Sequence, residues 1–240
     1  MRPSPAVPDP CAGSARGRLV LLLAFGAAGV DAVVILGFSV LTAAQTGNTI
    51  LLATALARGD FATGLSSALS VAAYVAGAAL GEWVLVRCAP RQEGLAAGKV
   101  LVLEILLLAA ALLVWRMSGQ APPQGIGLTI VALAALAMGL QSAAIRGIHA
   151  KASTTYITGV LTSFTTDLVE WLLPPRGASR FGEANKPRES PWWNGVVWVI
   201  YLAGAVLNGI LFLRIGELAL IVPLAILAVC ASRLGKAPAL

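Results

Sequence analysis

AVVILGFSVLTAAQTGNTILLATALA, residues 32–57, runs between Asp31 and Arg58 without a charged side chain and carries Thr46-Gly47-Asn48 near its middle. The apolar flanks predict helix buried in a membrane, whereas Thr-Gly-Asn is turn chemistry. A soluble loop would carry charge here, and an unbroken membrane helix has no use for a Gly-Asn pair at its centre. Backbone released from helical pairing inside a bilayer costs several kcal/mol per group unless protein or a water-filled cavity satisfies it. The stretch is therefore read as a discontinuous helix lining a cavity.

Composition places the rest of the chain in the same class. Of its 240 residues 58% are hydrophobic and 12% charged, and the mean hydropathy is +0.84, far from the roughly one-quarter charged residues of a soluble domain. The formal charge of +6 sits in short basic clusters between apolar runs, a pattern of membrane topology and not of nucleic-acid binding. Cys11, Cys88 and Cys230 are far apart and His149 stands alone, so no metal, cofactor or disulfide framework is expected. Neither a Ser/His pair nor a His/Glu cluster suggests an enzyme, and Asp167 and Glu170 alone make no catalytic pair. The Pro-rich start, followed by Arg16, Arg18 and a long apolar run containing Asp31, reads as an uncleaved first span.

Apolar segments fall at 19–41, 47–57, 65–86, 100–116, 126–147, 154–172, 193–213 and 216–232. A hydrocarbon core about 30 Å thick needs around 20 helical residues, so 47–57 is too short to cross. The 154–172 segment is unusually polar, with Thr158, Thr162, Thr166 and Glu170 recurring on one helical face. That stripe faces water or the bundle interior, or else lies along the membrane surface as an amphipathic helix. If six segments cross while these two dip in and return, all but Arg58, Arg116 and Arg214 of the 17 Lys and Arg lie on the cytoplasmic side. Crossing by all eight segments, or by 154–172 alone, divides them more evenly. Trp83, Trp115, Trp192 and Trp193 fall near the ends of the expected spans, as interfacial rings do. Lys99 is expected to pair with Glu104, and Pro223 to kink the last span.

The halves match in order. Ala28-Gly29-Val30-Asp31-Ala32 aligns with Met138-Gly139-Leu140-Gln141-Ser142, Thr46-Gly47 with Thr158-Gly159, and Tyr74-Val75-Ala76-Gly77 with Tyr201-Leu202-Ala203-Gly204. With three crossings each, the second copy enters the membrane from the opposite side, the inverted-repeat plan of secondary transporters. Small-residue helices also resemble one another by composition alone. The expected organisation is a tail at 1–17, a single all-α transmembrane domain at 18–233 and a tail at 234–240. Within the domain, repeat one covers 18–116, repeat two 125–233, and a Pro-, Gly- and charge-rich cytoplasmic connector 174–191. Both termini are expected in the cytoplasm, and the host membrane is expected to be the plasma membrane.

The combination of Asp31 with Thr46-Gly47-Asn48-Thr49, then Met138-Gly139-Leu140-Gln141-Ser142-Ala143, Arg146, Thr154-Thr155, Thr158-Gly159-Val160-Leu161-Thr162 and Asp167-Leu168, resembles the YoaK family of bacterial and fungal membrane proteins. The resemblance extends from Arg18 to Leu213. It implies a fold and supplies no substrate, because the family's function is unknown.

Function is then argued from the site. Asp31, deep in the first span, is expected to face the bundle interior, where its protonation could couple to solute movement, or to bond one helix to another. Gln141, its repeat mate, supplies neutral donor and acceptor groups. Thr46, Asn48 and Thr49 could cap the following short helix and leave its positive end free for an anion, or form a tight turn in which Asn48 caps its own backbone. The expected substrate-binding set is Asp31, Thr46, Gly47, Asn48, Thr49, Gln141, Thr158, Gly159 and Thr162, with lipid and a small, anionic solute as partners and self-association as a further option. Secondary transport, proton-coupled through Asp31, is the leading expectation; a channel and a non-transporting membrane scaffold are the alternatives.

Overall fold

The computed structural model describes residues 15–88, 93–119, 121–148, 157–173 and 192–234. The first fourteen residues, the 174–191 connector and the tail beyond Leu234 lie outside the described residues. Eight α-helices occur among those described: α1 (Ala15–Phe38), α2 (Gln45–Arg58), α3 (Phe61–Cys88), α4 (Glu93–Ser118), α5 (Gln124–Gly147), α6 (Ile157–Leu172), α7 (Trp192–Ile215) and α8 (Ile221–Leu234), with a 3-10 turn, Gly216–Leu220, between the last two. Helix α1 begins three residues before the expected boundary at 18.

Length sorts these helices into two kinds. At 1.5 Å per residue, α1, α3, α4, α5 and α7 reach about 36 Å or more and can cross a bilayer, whereas α2 and α6 reach only about 21 and 24 Å. Five helical runs are long and apolar enough to span, the last being the 43-residue stretch Trp192–Leu234. That stretch is two passes, because Gly216 adopts φ 62° and turns the chain back. Two pairs fix the return direction: Arg116 near the end of α4 meets Glu217, and Gly94 at its start lies against Leu234. The 3-10 turn and α8 together rise about 31 Å, enough for a sixth crossing. Pro223 does not kink a long helix; it sits in the first turn of α8, where its missing N–H has no intrahelical partner to lose.

The contacts of α3 with α5 and of α1 with α7 are among the most extensive between helices, and both pairs run parallel. Gly77 faces Leu136, Gly81 faces Ala143 and Gly147 faces Leu85 in the first pair; Gly204 faces Phe25 and Asn208 faces Gly29 in the second. A Cβ on Gly77, Gly139 or Gly204 would collide with backbone of the facing helix. Small residues let the backbones close, which is how helices associate when lipid removes the hydrophobic drive between them. Helices α1 and α5 form the enclosed centre, with Ala24, Ala27, Val33, Ala134, Ala137 and Met138 fully buried. The outward faces of α3, α4 and α7 carry Val75, Leu106, Leu113, Val199 and Leu213, a surface matched to acyl chains.

One end of the bundle is closed by Trp115, whose ring lies 4.5 Å from Phe38 of α1 and 5.8 Å from Phe212 of α7. Trp115 is therefore a core residue and not an interfacial anchor, as is Trp193, whereas Trp83 and Trp192 are exposed as expected.

Candidate functional site

Helix α1 ends at Phe38, and Ser39 at φ 57° reverses the chain. Residues 39–44 then fold back beside α1 before α2 begins at Gln45. This short non-helical run exposes backbone polar groups at membrane depth, and four side chains from three helices satisfy them. Asp31 of α1 accepts at one oxygen from the Thr42 N–H (2.6 Å), the Thr42 hydroxyl (2.8 Å) and the Ala43 N–H (2.7 Å), and at the other from the Ala44 N–H (3.1 Å). Asn48 of α2 pairs with Leu41 in both directions, accepting from its N–H at 2.9 Å and donating to its carbonyl at 2.6 Å. Ser70 of α3 donates to the same carbonyl at 2.6 Å and accepts from Asn48 at 2.9 Å. Gln45 closes the set, donating to the Thr42 carbonyl at 2.7 Å and accepting from Asn48 at 2.9 Å.

Asp31 takes up the loop amides ahead of α2, and none of Thr46, Asn48 and Thr49 caps that helix. The residue before α2 is Ala44, which has no side-chain cap bond, and the amides ahead of the helix point at Asp31. Helix α2 then runs back along α3, Asn48 level with Ser70 and Ala55 level with Gly64, so its start lies deep and its end near the start of α3.

The expected site residues separate accordingly. Asp31 and Asn48 meet on the 39–44 loop, and Gly47 packs there against Leu41, whose side chain a Cβ at 47 would strike. Thr46 and Thr49 are exposed, the Thr49 hydroxyl bonding its own helix at Gln45. Gln141 donates to the Leu23 carbonyl at 3.2 Å, two helical turns, about 12 Å, from Asp31 along α1. The two repeat mates therefore do not form one site. Thr158 and Thr162 are exposed on α6, with the Thr162 hydroxyl bonded to the Thr158 carbonyl, and Gly159 is half-buried. The threonine stripe turns away from the bundle; the inward face of α6 is mainly apolar, with Val160 in a cluster with Val20, Ala24, Trp193 and Val197 and Phe164 tilted against Trp192, and it carries one polar contact to α7, Asn194 donating to Asp167 at 3.4 Å.

Sequence reasoning left out of the site Thr42, Ser70, Tyr201, noted only as a repeat residue but standing beside Asp31, and Asn208, buried against Gly29. A polar residue interrupting an apolar span, the signal that singled out Asp31, was available for Ser70 and Asn208. The expected Lys99–Glu104 pair is not formed: Lys99 is exposed, and Glu104 is fully buried with no hydrogen-bond partner. Five residues apart, the two side chains diverge by about 140° around the helix. Among the described residues no group of three or more His, Cys, Asp or Glu side chains could hold a metal ion.

These features define a polytopic all-α membrane protein whose spans enclose a side-chain-anchored internal loop. The chain belongs to the family described as protein of unknown function DUF1275, which matches residues 19–232 and which the YoaK-like motifs fit. No curated protein and no solved structure matches it.

Proposed function

We propose that this protein is a secondary transporter of a small solute, built from two inverted repeats, with both termini in the cytoplasm of the cell that carries it in its plasma membrane, and with no enzymatic activity. The observation that carries the reading is the discontinuous backbone at 39–44, tied to α1 through Asp31 and followed by the half-length α2. Broken helices of this kind are where transporter spans hinge and bind. Position-by-position packing supports the inverted repeat. Tyr74 of α3 bonds Ser142 of α5 at 2.7 Å, and Tyr201 of α7 stands beside Asp31 of α1, so each aligned tyrosine reaches the aligned stretch of the other repeat.

In this reading Asp31 and Asn48 hold the loop in one conformation, and a solute replaces part of their bonding when the loop moves. A scaffold role is the second reading, favoured by the completeness of the bonding between Asp31 and residues 42–44. The deciding experiment reconstitutes the full chain in proteoliposomes and follows a broad panel of small solutes, anions included, with and without a pH gradient. Saturable uptake that Asp31→Asn and Asn48→Ala both reduce at least about tenfold is the expected result. Wild-type and mutant vesicles equally inactive over the whole panel, with one protein partner retained through purification, would establish the scaffold. Cysteines at Gly59 and Gly182 test the repeat: labelling from opposite sides of the membrane is expected, and labelling from one side overturns it.

A further inference from the structure

Helix α4 carries a carboxyl that the anchored loop does not use. Glu104 is 0% exposed, and neither oxygen has a hydrogen-bond partner. It lies on the inward stripe of α4 with Val100, Leu101, Leu108 and Ala111, all fully buried, where α4 packs on α5 and α8. From α8 the titratable group that faces it is Cys230, a buried free thiol, with Arg233 beyond it near the end of that helix. No charged side chain of α3 or α5 reaches it among the described residues. Gln141 of α5 likewise keeps a buried side-chain oxygen without a donor. An ionised carboxylate left unpartnered in such surroundings costs several kcal/mol, and intramembrane acids in this position are retained for function.

The seam between α4 and α8 also has an outer side. A cleft of about 420 Å³ bounded by Val84, Leu95, Gly98, Lys99, Leu103 and Ala231 lies over it. The α4 residues that line it, Leu95, Gly98, Lys99 and Leu103, lie about 100° or more around the helix from Glu104, so the cleft opens on the outer side of α4, away from the carboxyl. Lys99 at its rim is exposed.

We propose that Glu104, not Asp31, is the coupling-proton site of this protein: its carboxyl holds one exchangeable proton in the enclosed bundle and exchanges it with water when the α4–α8 seam opens at Cys230. The proposal rests on the transport reading and assigns its coupling ion. A proton is the cation a lone carboxyl can hold without further ligands, which suits a position with no other oxygen bonded to it. Asp31 is unsuited to the task, because three backbone N–H groups and a hydroxyl already occupy it, and moving a proton there would release the loop.

Infrared spectroscopy of the full chain in liposomes tests this without any solute. The carbonyl stretch of a protonated carboxylic acid should be present in the wild type, shift in deuterated water, and disappear as the pH is raised over the range in which the protein stays folded. It should be lost in Glu104→Gln and retained in Asp31→Asn. Glu104→Asp moves the carboxyl by one methylene and should shift the band instead of deleting it, which covers the case of a poorly folding Glu104→Gln. A Glu104 ionised throughout the range would overturn the proposal, and so would an acid band that neither titrates nor exchanges, since that describes a permanent structural acid. A titrating Glu104 in a protein that moves no solute would count against transport alone. Transport with an inert Glu104 would sink only the present assignment.

Discussion

Two helical hairpins in this molecule share a shape and differ in what holds them. In α2–α3 the short helix starts deep and runs back along the long one, with Asn48 against Ser70. In α6–α7 the short helix does the same, Phe164 meeting Trp192 and Gly195, and Trp171 meeting Trp192 nearer the start of α7. The match between the halves aligns Asn48 with Val160 and Ser70 with Val197, and Val160 does share a cluster with Val197. At these equivalent positions one hairpin is closed by hydrogen bonds and the other by apolar contact, the polar contact of the second, Asn194 donating to Asp167 at 3.4 Å, lying elsewhere along it. The polar version appears where an adjoining non-helical run, 39–44, needs donors and acceptors. Polarity at Asn48 therefore follows the local backbone and is no property of the hairpin itself.

The sharpest way to break this comparison is to remove the acceptor that the loop depends on. Asp31→Ala leaves the amides of Thr42, Ala43 and Ala44 without their partner, each an unsatisfied buried group, and should lower stability by about 3–5 kcal/mol. Thermal unfolding in micelles reads this out, with cysteine accessibility at Val40 rising in parallel. Stability within about 1 kcal/mol of wild type would show that the loop is held elsewhere. Asn48→Val combined with Ser70→Val then installs the apolar pair of the other hairpin. Because Leu41 would lose partners for both its N–H and its carbonyl, the double variant should remain about 2–3 kcal/mol below wild type. Full recovery would make the two hairpins interchangeable and end the distinction drawn here.

Much of this architecture is legible in the residues. The length of its apolar run sets α2 apart, polarity and the distribution of Lys and Arg set α6 apart, and the Gly216 break falls at the start of the segment read as 216–232. An interrupted helix was legible in this stretch, although the break falls at 39–44 and Thr46-Gly47-Asn48, read as the turn, lie in the first turn of α2. What the residues could not show is which groups meet: Asp31 finds its partners in backbone amides of 42–44, and a backbone amide has no residue type to recognise. The orientation of the threonine stripe was hidden for another reason. In lipid a threonine can bond its own helix and face outward, as Thr162 and Thr166 do, so polarity alone does not choose the inner face. The expected Lys99–Glu104 pair failed for a simpler reason, since side chains five residues apart on a helix point in different directions.

Smaller effects sharpen the same contrast. Val160→Ala removes packing but leaves no polar group unpaired, so it should cost about 1 kcal/mol, well below Asp31→Ala, in the same unfolding assay. A larger loss than that from the double variant would mean that α6–α7 is the more tightly held hairpin. The turn between α2 and α3 gives the mildest test, through pH. Asp60 is exposed and accepts from the Thr63 amide at 3.2 Å, capping the start of α3. Hydrogen bonds from Thr63, helped by Arg58, hold its carboxyl below the ordinary value of 3.8. A carboxyl held lower in the folded state stabilises the fold above its unfolded value, and that contribution is lost as the pH falls through the folded one. Asp60→Asn should therefore lower the melting temperature slightly at neutral pH, and the gap between variant and wild type should close under acid conditions below the ordinary value. A gap that widened with acid would mean that the protonated form is the better cap, reversing the sign of the argument for this turn.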